Sequence, residues 1–144
     1  MQTTASYGEG DATFLAAGGE AGIFELVNRF FDIMRDDPQY REIWDMHPDD
    51  TDDKHVSRDK LARFLCAWTG GPRLYREKYG PISIPQAHAH LAIDARLRDG
   101  RLSCMRAALD SCGYPEDFKV YLTRELAVPA ERVRLACEKN LHAP

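Results

Sequence analysis

A histidine that follows a Gly-Gly-Pro turn is the feature of this sequence with the clearest potential for chemistry. A segment with helical apolar spacing ends at residues 70–72, an aromatic stretch that includes Tyr79 follows, and then comes His88. A neutral imidazole is a good ligand for iron and other transition metals. The arrangement suits an axial metal ligand at His88 or His90, whereas a lone histidine in a loop is more often exposed to solvent.

Other kinds of site receive less support from the sequence. Carboxylates are numerous, but sequence alone places no pair of them for acid–base catalysis, and no phosphate loop, nucleophile elbow or zinc cluster is recognisable. The net charge of −4 gives no support to nucleic-acid binding. With no apolar run of membrane-spanning length and no signal peptide, we expect a cytoplasmic protein with no membrane partner.

Apolar residues recur at helical spacing, and no segment alternates with period two between hairpin turns. The 144 residues therefore predict one all-α domain over residues 12–142, after a flexible N-terminal extension of residues 1–11. We expect Ser57 to cap one helix and Asp94 to cap another, and Pro129 to bend or interrupt the last. The four cysteines show no disulfide spacing, which favours reduced core thiols.

The order of these segments resembles that of the group II truncated haemoglobins. The Gly-Gly-Pro-x-x-Tyr block at residues 70–75 matches a specific signature of that family, and His88 stands where the family has its haem-binding histidine. The resemblance extends over most of the chain. It implies a truncated globin fold, a two-over-two helical sandwich around haem b (iron protoporphyrin IX), with O2, NO or CO as the diatomic gas ligand.

The same resemblance implies a set of side chains around the haem in addition to His88. They are Phe31, His47, Ser57, Leu61, Phe64, Trp68, Tyr79, Ile93, Arg101 and Met105.

Two of these residues depart from the family pattern. Phe31 replaces a tyrosine and Arg101 replaces a tryptophan, so two hydrogen-bond donors to the gas ligand are changed. A guanidinium stays charged and is costly to bury unpaired. Three arrangements of Arg101 are therefore open: it turns to solvent or a haem propionate, it faces the iron and attracts an anion, or it weakens haem retention.

The segment between His47 and Ser57 is longer than in the family pattern and contains His55. It is an acidic loop in the simpler interpretation, and in the other it lets His47 or His55 become the sixth ligand of the iron.

The sequence favours a haem protein that binds oxygen or another diatomic gas with fast exchange. The alternative is a haem redox enzyme, an NO dioxygenase or peroxidase-like protein that needs an external reductase. A haem-free globin-fold interaction module is the third hypothesis. We expect a monomer or a homodimer.

Overall fold

The computed structural model describes residues 6–47, 53–81 and 93–141; for residues 140 and 141 only the backbone is described. Every regular element in these ranges is helical, which confirms the all-α prediction. The elements are α1 (Ala12–Ala16), α2 (Gly19–Asp36), a 3₁₀ turn (Pro38–Tyr40), α3 (Arg41–Asp45), α4 (His55–Trp68), α5 (Leu74–Tyr79), α6 (Ala95–Ser111) and α7 (Glu116–Leu141).

The described chain forms two compact units. The first contains residues 6–29 and 53–81, with α1, the beginning of α2, α4 and α5. The second contains residues 30–47 and 93–141, with the end of α2, α3, α6 and α7. None of the helices in the described ranges is long and apolar enough to cross a membrane.

In the first unit, the Gly-Gly-Pro sequence ends α4 with a Schellman motif. The N–H of Gly70 donates to the carbonyl of Ala67, and the N–H of Gly71 donates to the carbonyl of Cys66 at 2.8 Å. Gly70 has a φ of +99°, the left-handed conformation that this motif requires. Two otherwise unpaired carbonyls at the helix end are thereby satisfied.

The same corner is in very close contact with the N-terminal segment of this unit. A Cβ added to Gly70 would lie 2.0 Å from the carbonyl oxygen of Gly10, and one added to Gly71 would lie 2.5 Å from the ring of Phe14. The N–H of Phe14 also donates to the carbonyl of Thr69 at 3.1 Å. The two glycines are needed here because backbone and ring occupy the space of their side chains.

In the second unit, α6 contacts α7, the end of α2 and the 3₁₀ turn that follows α2. The hydroxyls of Tyr40 and Ser103 hydrogen-bond at 3.1 Å, and the thiol of Cys104 donates to the carbonyl of Phe30 at 3.4 Å. Between α6 and α7, Arg98 pairs with Glu131. The core of this unit is built from fully or almost fully buried apolar side chains: Phe30, Phe31, Met34, Tyr40, Ile43, Trp44, Leu97, Cys104, Met105, Ala108, Leu109, Phe118, Leu122, Val133 and Cys137.

Several local predictions can be compared with these helices. Asp94 caps α6 as predicted, since its carboxylate accepts from the N–H of Leu97 at 2.9 Å. Ser57 as a cap is wrong: α4 begins at His55, so Ser57 lies inside its first turn. Arg58 fixes the earlier start, because its guanidinium donates to the carbonyl and the carboxylate of Asp53.

The aromatic stretch after the Gly-Gly-Pro turn contains a short helix, α5. We expected Pro129 to bend or interrupt the last helix; an interruption is wrong, because α7 is continuous from Glu116 to Leu141. One lost hydrogen bond at Pro129 is tolerated where Val133 and Cys137 are buried just beyond it. The four cysteines are free thiols, and all but the half-buried Cys112 lie in the core.

We predict that Gly70→Ala lowers the free energy of unfolding by about 3 kcal/mol, because it adds a backbone clash to left-handed strain. Gly113→Ala is the control, since Gly113 has a φ of +77° but nothing within 4 Å of its added Cβ. That variant should lose about 1 kcal/mol. Chemical denaturation measures both, and equal losses would contradict the close approach at Gly70.

Candidate functional site

Phe31 is the centre of an aromatic cluster in the second unit. Its side chain is fully buried on α2, and its ring meets that of His47 edge-on at 5.0 Å between centroids. The rings of Phe30 and Trp44 lie 5.5 and 6.4 Å from that of Phe31, also edge-on. Two predicted site residues, Phe31 and His47, are therefore brought together, and no hydroxyl is present at residue 31.

His47 is half-buried and is oriented by the end of α3. Its Nδ1 lies 2.9 Å from the carbonyl oxygen of Ile43. A carbonyl can only accept, so Nδ1 is the protonated nitrogen. In the neutral ring Nε2 then has a lone pair, and neutral His47 presents an acceptor rather than a donor through that nitrogen.

Arg101 lies half-buried on α6 in the same unit. Its guanidinium stands over the ring of Phe30, 6.0 Å from the centroid. Burial lowers the pKa of the Arg101 guanidinium, and the Cys104 thiol one turn away opposes this. Arg101 is thus held against an apolar ring and is not extended into solvent.

The remaining predicted residues of this unit have structural surroundings. Met105 is buried on α6, and Ile93 is half-buried just before that helix. The neighbouring Cys104 thiol is not a nucleophile, because burial raises its pKa to about 12. His88 and His90, the two candidates for the proximal ligand, lie outside the described residues.

In the first unit, four predicted residues share one face of α4. Ser57, Leu61, Phe64 and Trp68 follow each other at intervals of four, three and four, which places them along one stripe of a helix. All four are half-buried, whereas Leu65 belongs to the buried face. A stripe with three large apolar side chains that the protein covers only in part fits the face of a flat apolar cofactor.

Asp59 organises the polar group beside that stripe. Its Oδ2 accepts from the hydroxyl of Tyr79 at 2.6 Å and from Nζ of Lys78 at 2.9 Å. Arg63, one turn along α4, donates to both carboxylate oxygens. Burial opposes ionisation of Asp59, but these hydrogen bonds outweigh it and lower the pKa of the carboxyl group.

Tyr79 is therefore fixed at both its hydroxyl and its ring. Burial and the contact with Asp59 raise the pKa of Tyr79, so the hydroxyl remains a donor. The ammonium groups of Lys60 and Lys78 each lie 5.3 Å from the centroid of its ring. Two cations therefore lie around one aromatic ring. The two ammonium groups are suitable partners for the carboxylates of a haem.

The sequence analysis missed Asp59 and Lys60. The spacing of four between Asp59 and Arg63 was a visible signal for an ion pair on a helix. The contacts of Asp59 and Lys60 with Tyr79 depend on how α5 packs on α4, which no local pattern indicates. His55 was predicted as a possible sixth ligand, and it is exposed at the beginning of α4. The described residues contain no group of three or more His, Cys, Asp or Glu side chains that could hold a bare metal ion.

Comparison with known proteins agrees with this architecture. The family model of the bacterial-like globins matches residues 12–131. A truncated hemoglobin from the Antarctic bacterium Pseudoalteromonas haloplanktis TAC125 is 32% identical with a TM-score of 0.76, over 84% of this chain and 95% of that one. A group II 2-on-2 hemoglobin from Agrobacterium tumefaciens is 25% identical with a TM-score of 0.77, over 93% and 98% of the two chains.

The Group 2 truncated hemoglobin YjbI of Bacillus subtilis (strain 168) is 28% identical over 115 residues, which cover 80% of this chain and 83% of that protein. The helical fold is thus that of a globin. The chain belongs to the bacterial-like globin family. The predicted likeness to group II truncated haemoglobins is confirmed, and the family implies a haem cofactor and a diatomic gas ligand.

We predict that Asp59→Asn lowers the free energy of unfolding by about 1 kcal/mol at neutral pH, because an amide cannot accept from all three donors. The folded pKa of Asp59 is below its ordinary value of 3.8. Stability from the carboxylate is therefore complete above about pH 5 and is lost as the pH falls through the folded pKa. Denaturation at a series of pH values measures this difference. Asp99→Asn, at an exposed residue of α6, is the control, and a difference that persists unchanged at low pH would contradict the ionic interpretation.

Proposed function

We propose that this globin binds haem b with His88 as proximal ligand and exchanges a diatomic gas rapidly. The stripe of Leu61, Phe64 and Trp68 on α4 is the observation that carries the proposal, because the protein leaves this apolar face half-covered. Haem supplies an iron centre that binds O2, NO or CO reversibly. The apolar side chains of the stripe exclude water from the porphyrin face.

Charged groups of the first unit anchor the haem carboxylates in this proposal. Lys60 and Lys78 flank Tyr79, and Asp59 holds the tyrosine hydroxyl in place. Lys60 can turn its ammonium group from the ring to a propionate, because its stem is flexible. Lys78 can keep its bond to Asp59 and donate another N–H to the propionate.

A shortage of hydrogen-bond donors in the second unit accounts for the proposed fast exchange of the gas ligand. A gas ligand is retained when hydrogen-bond donors point at the charge it accumulates. Phe31 has no donor, and neutral His47 uses its N–H on the carbonyl of Ile43. Arg101 is the cationic donor among these three side chains, and its guanidinium lies over the ring of Phe30. Few fixed donors lead us to expect a binding or sensing protein rather than an oxygen store.

Redox turnover is the second candidate, and Arg101 is the observation that favours it. A fixed cation stabilises negative charge that develops in a transition state. An NO dioxygenase or peroxidase-like reaction would also need an external reductase. Peroxide consumption by the ferric protein with an electron donor tests this, and a rate equal to that of free haem would exclude it. We expect the protein to work in the cytoplasm, as a monomer or homodimer.

The proximal ligand is tested by His88→Gly, with His90→Gly as the matched control. We expect wild type and His90→Gly to show a Soret band that shifts with CO after reduction. His88→Gly should lose the five-coordinate ferrous spectrum and recover it when imidazole is added, because free imidazole can replace the missing ligand. If only His90→Gly loses the five-coordinate ferrous spectrum, His90 is the proximal ligand instead. The absence of a Soret band in the wild type would refute the haem proposal.

We predict that Arg101→Trp slows O2 release about tenfold, because an indole adds a neutral N–H donor and fills space beside Phe30. Flash photolysis and stopped-flow displacement measure the O2 and CO dissociation rates. Arg106→Trp, at a residue of α6 that pairs with Asp110 and Glu116, controls for the loss of charge. Equal rates in Arg101→Trp and the wild type would contradict a role of residue 101 in ligand exchange.

A further inference from the structure

Arg101 differs from the other arginines that the fold covers. Each of the others that is at least half-buried in the described ranges pairs with a carboxylate: Arg58 with Asp53, Arg63 with Asp59, Arg98 with Glu131, Arg106 with Asp110, and Arg134 with Glu131. Arg101 has no hydrogen bond or ion pair to the chain in these ranges, only the ring of Phe30 at 6.0 Å.

The neighbours of Arg101 cannot neutralise it. Phe30 offers an aromatic face, and the Cys104 thiol already donates to the carbonyl of Phe30. Burial raises the pKa of that thiol to about 12, so it does not provide a thiolate. Among the charge effects on Arg101, none comes from a carboxylate of the described chain. A positive charge is therefore partly removed from water without a counter-charge from the described residues.

The guanidinium remains open to a ligand. No side-chain nitrogen or oxygen that is fully buried lacks a hydrogen-bond partner in the described chain, so the unpaired nitrogens of Arg101 keep some accessible surface. A guanidinium has five N–H donors in a rigid fork and stays charged under ordinary conditions. A partly desolvated cation with free donors binds an anion more strongly than one in bulk water.

We propose that Arg101 is an anion-binding residue and that its counter-ion is supplied by a ligand. The class is a small monoanion, either an added ion that binds ferric haem, such as fluoride, or a carboxylate of the haem itself. This inference rests on the proposed haem function and adds to it a ligand chemistry that the neutral gases do not use. The aromatic wall of Phe30 and the single charge of Arg101 favour one negative charge over two.

Fluoride titration of the ferric protein tests the added anion. We expect Arg101→Leu to weaken fluoride binding about 10- to 100-fold, the loss expected for charge-assisted hydrogen bonds. Arg101→Lys should bind with intermediate affinity, since it keeps the charge without the fork. Arg106→Leu removes one positive charge from the same helix and should leave the fluoride affinity unchanged. CO binding to the reduced variants is the neutral-ligand control.

Haem transfer to apomyoglobin tests the haem carboxylate as the anion. If a propionate is the partner, Arg101→Leu releases haem faster than the wild type and Arg106→Leu does not. The difference must then disappear with haem dimethyl ester, whose carboxylates are blocked. If Arg101→Leu changes neither fluoride affinity nor haem transfer while CO still binds, the anion proposal is overturned and the haem function stands.

Thermal melting of the protein as purified, without added fluoride, tests the missing counter-charge whether or not haem is bound. We expect Arg58→Leu to melt at a lower temperature, because its guanidinium donates to Asp53 and Asn28. Arg101→Leu should melt at the same or a higher temperature, since it removes an unpaired charge. A drop as large as that of Arg58→Leu, with haem transfer unchanged, would show an acceptor within the chain and refute the proposal.

Discussion

The contact between Gly70 and Gly10 is the constraint on which the first unit depends. Backbone meets backbone at the end of α4, where a Cβ on Gly70 would lie 2.0 Å from a carbonyl oxygen. The left-handed turn at Gly70 also satisfies the last carbonyls of α4. Because this end of α4 is fixed, the rotation of the helix is fixed too, and with it the stripe that contains Leu61, Phe64 and Trp68.

Two charged and partly buried side chains of this chain, Asp59 and Arg101, differ in the partners that surround them. Asp59 is surrounded by donors, and its carboxylate links α4 to Tyr79 and Lys78 of α5. Arg101 has an aromatic ring and a neutral thiol as neighbours. A charge with partners rigidifies the fold, whereas a positive charge without partners among the described residues costs free energy that a bound anion can recover. Under the proposals above, Asp59 positions Tyr79 and Arg101 binds a ligand.

The cluster around Phe31 bears on the proposed ligand exchange. The ring of His47 packs edge-on against Phe31, and its Nδ1 faces the carbonyl of Ile43, so Nε2 can only accept while the ring is neutral. Under the proposed function, the positive charge of Arg101 is then the main electrostatic influence of these side chains on a ligand. We therefore expect ligand binding to depend more on the charge of the ligand than on its ability to accept a hydrogen bond.

The sequence by itself determined the helical class, the family and the glycine corner. Helical spacing, the Gly-Gly-Pro block and the cap at Asp94 are local, because propensity and backbone conformation act over a few residues. Ser57 shows the limit of local rules: it is a good cap by type, but the helix begins three residues earlier, where Arg58 bonds to Asp53.

Only the tertiary structure decided which side chains meet. Asp59 and Tyr79 are 20 residues apart, and Arg101 and Phe30 are farther apart still. Packing of one helix on another brings each pair together, and no periodicity along the chain indicates it. The presence of an arginine at residue 101 was visible in the sequence. That no carboxylate in the described ranges pairs with it depends on how the helices around it pack.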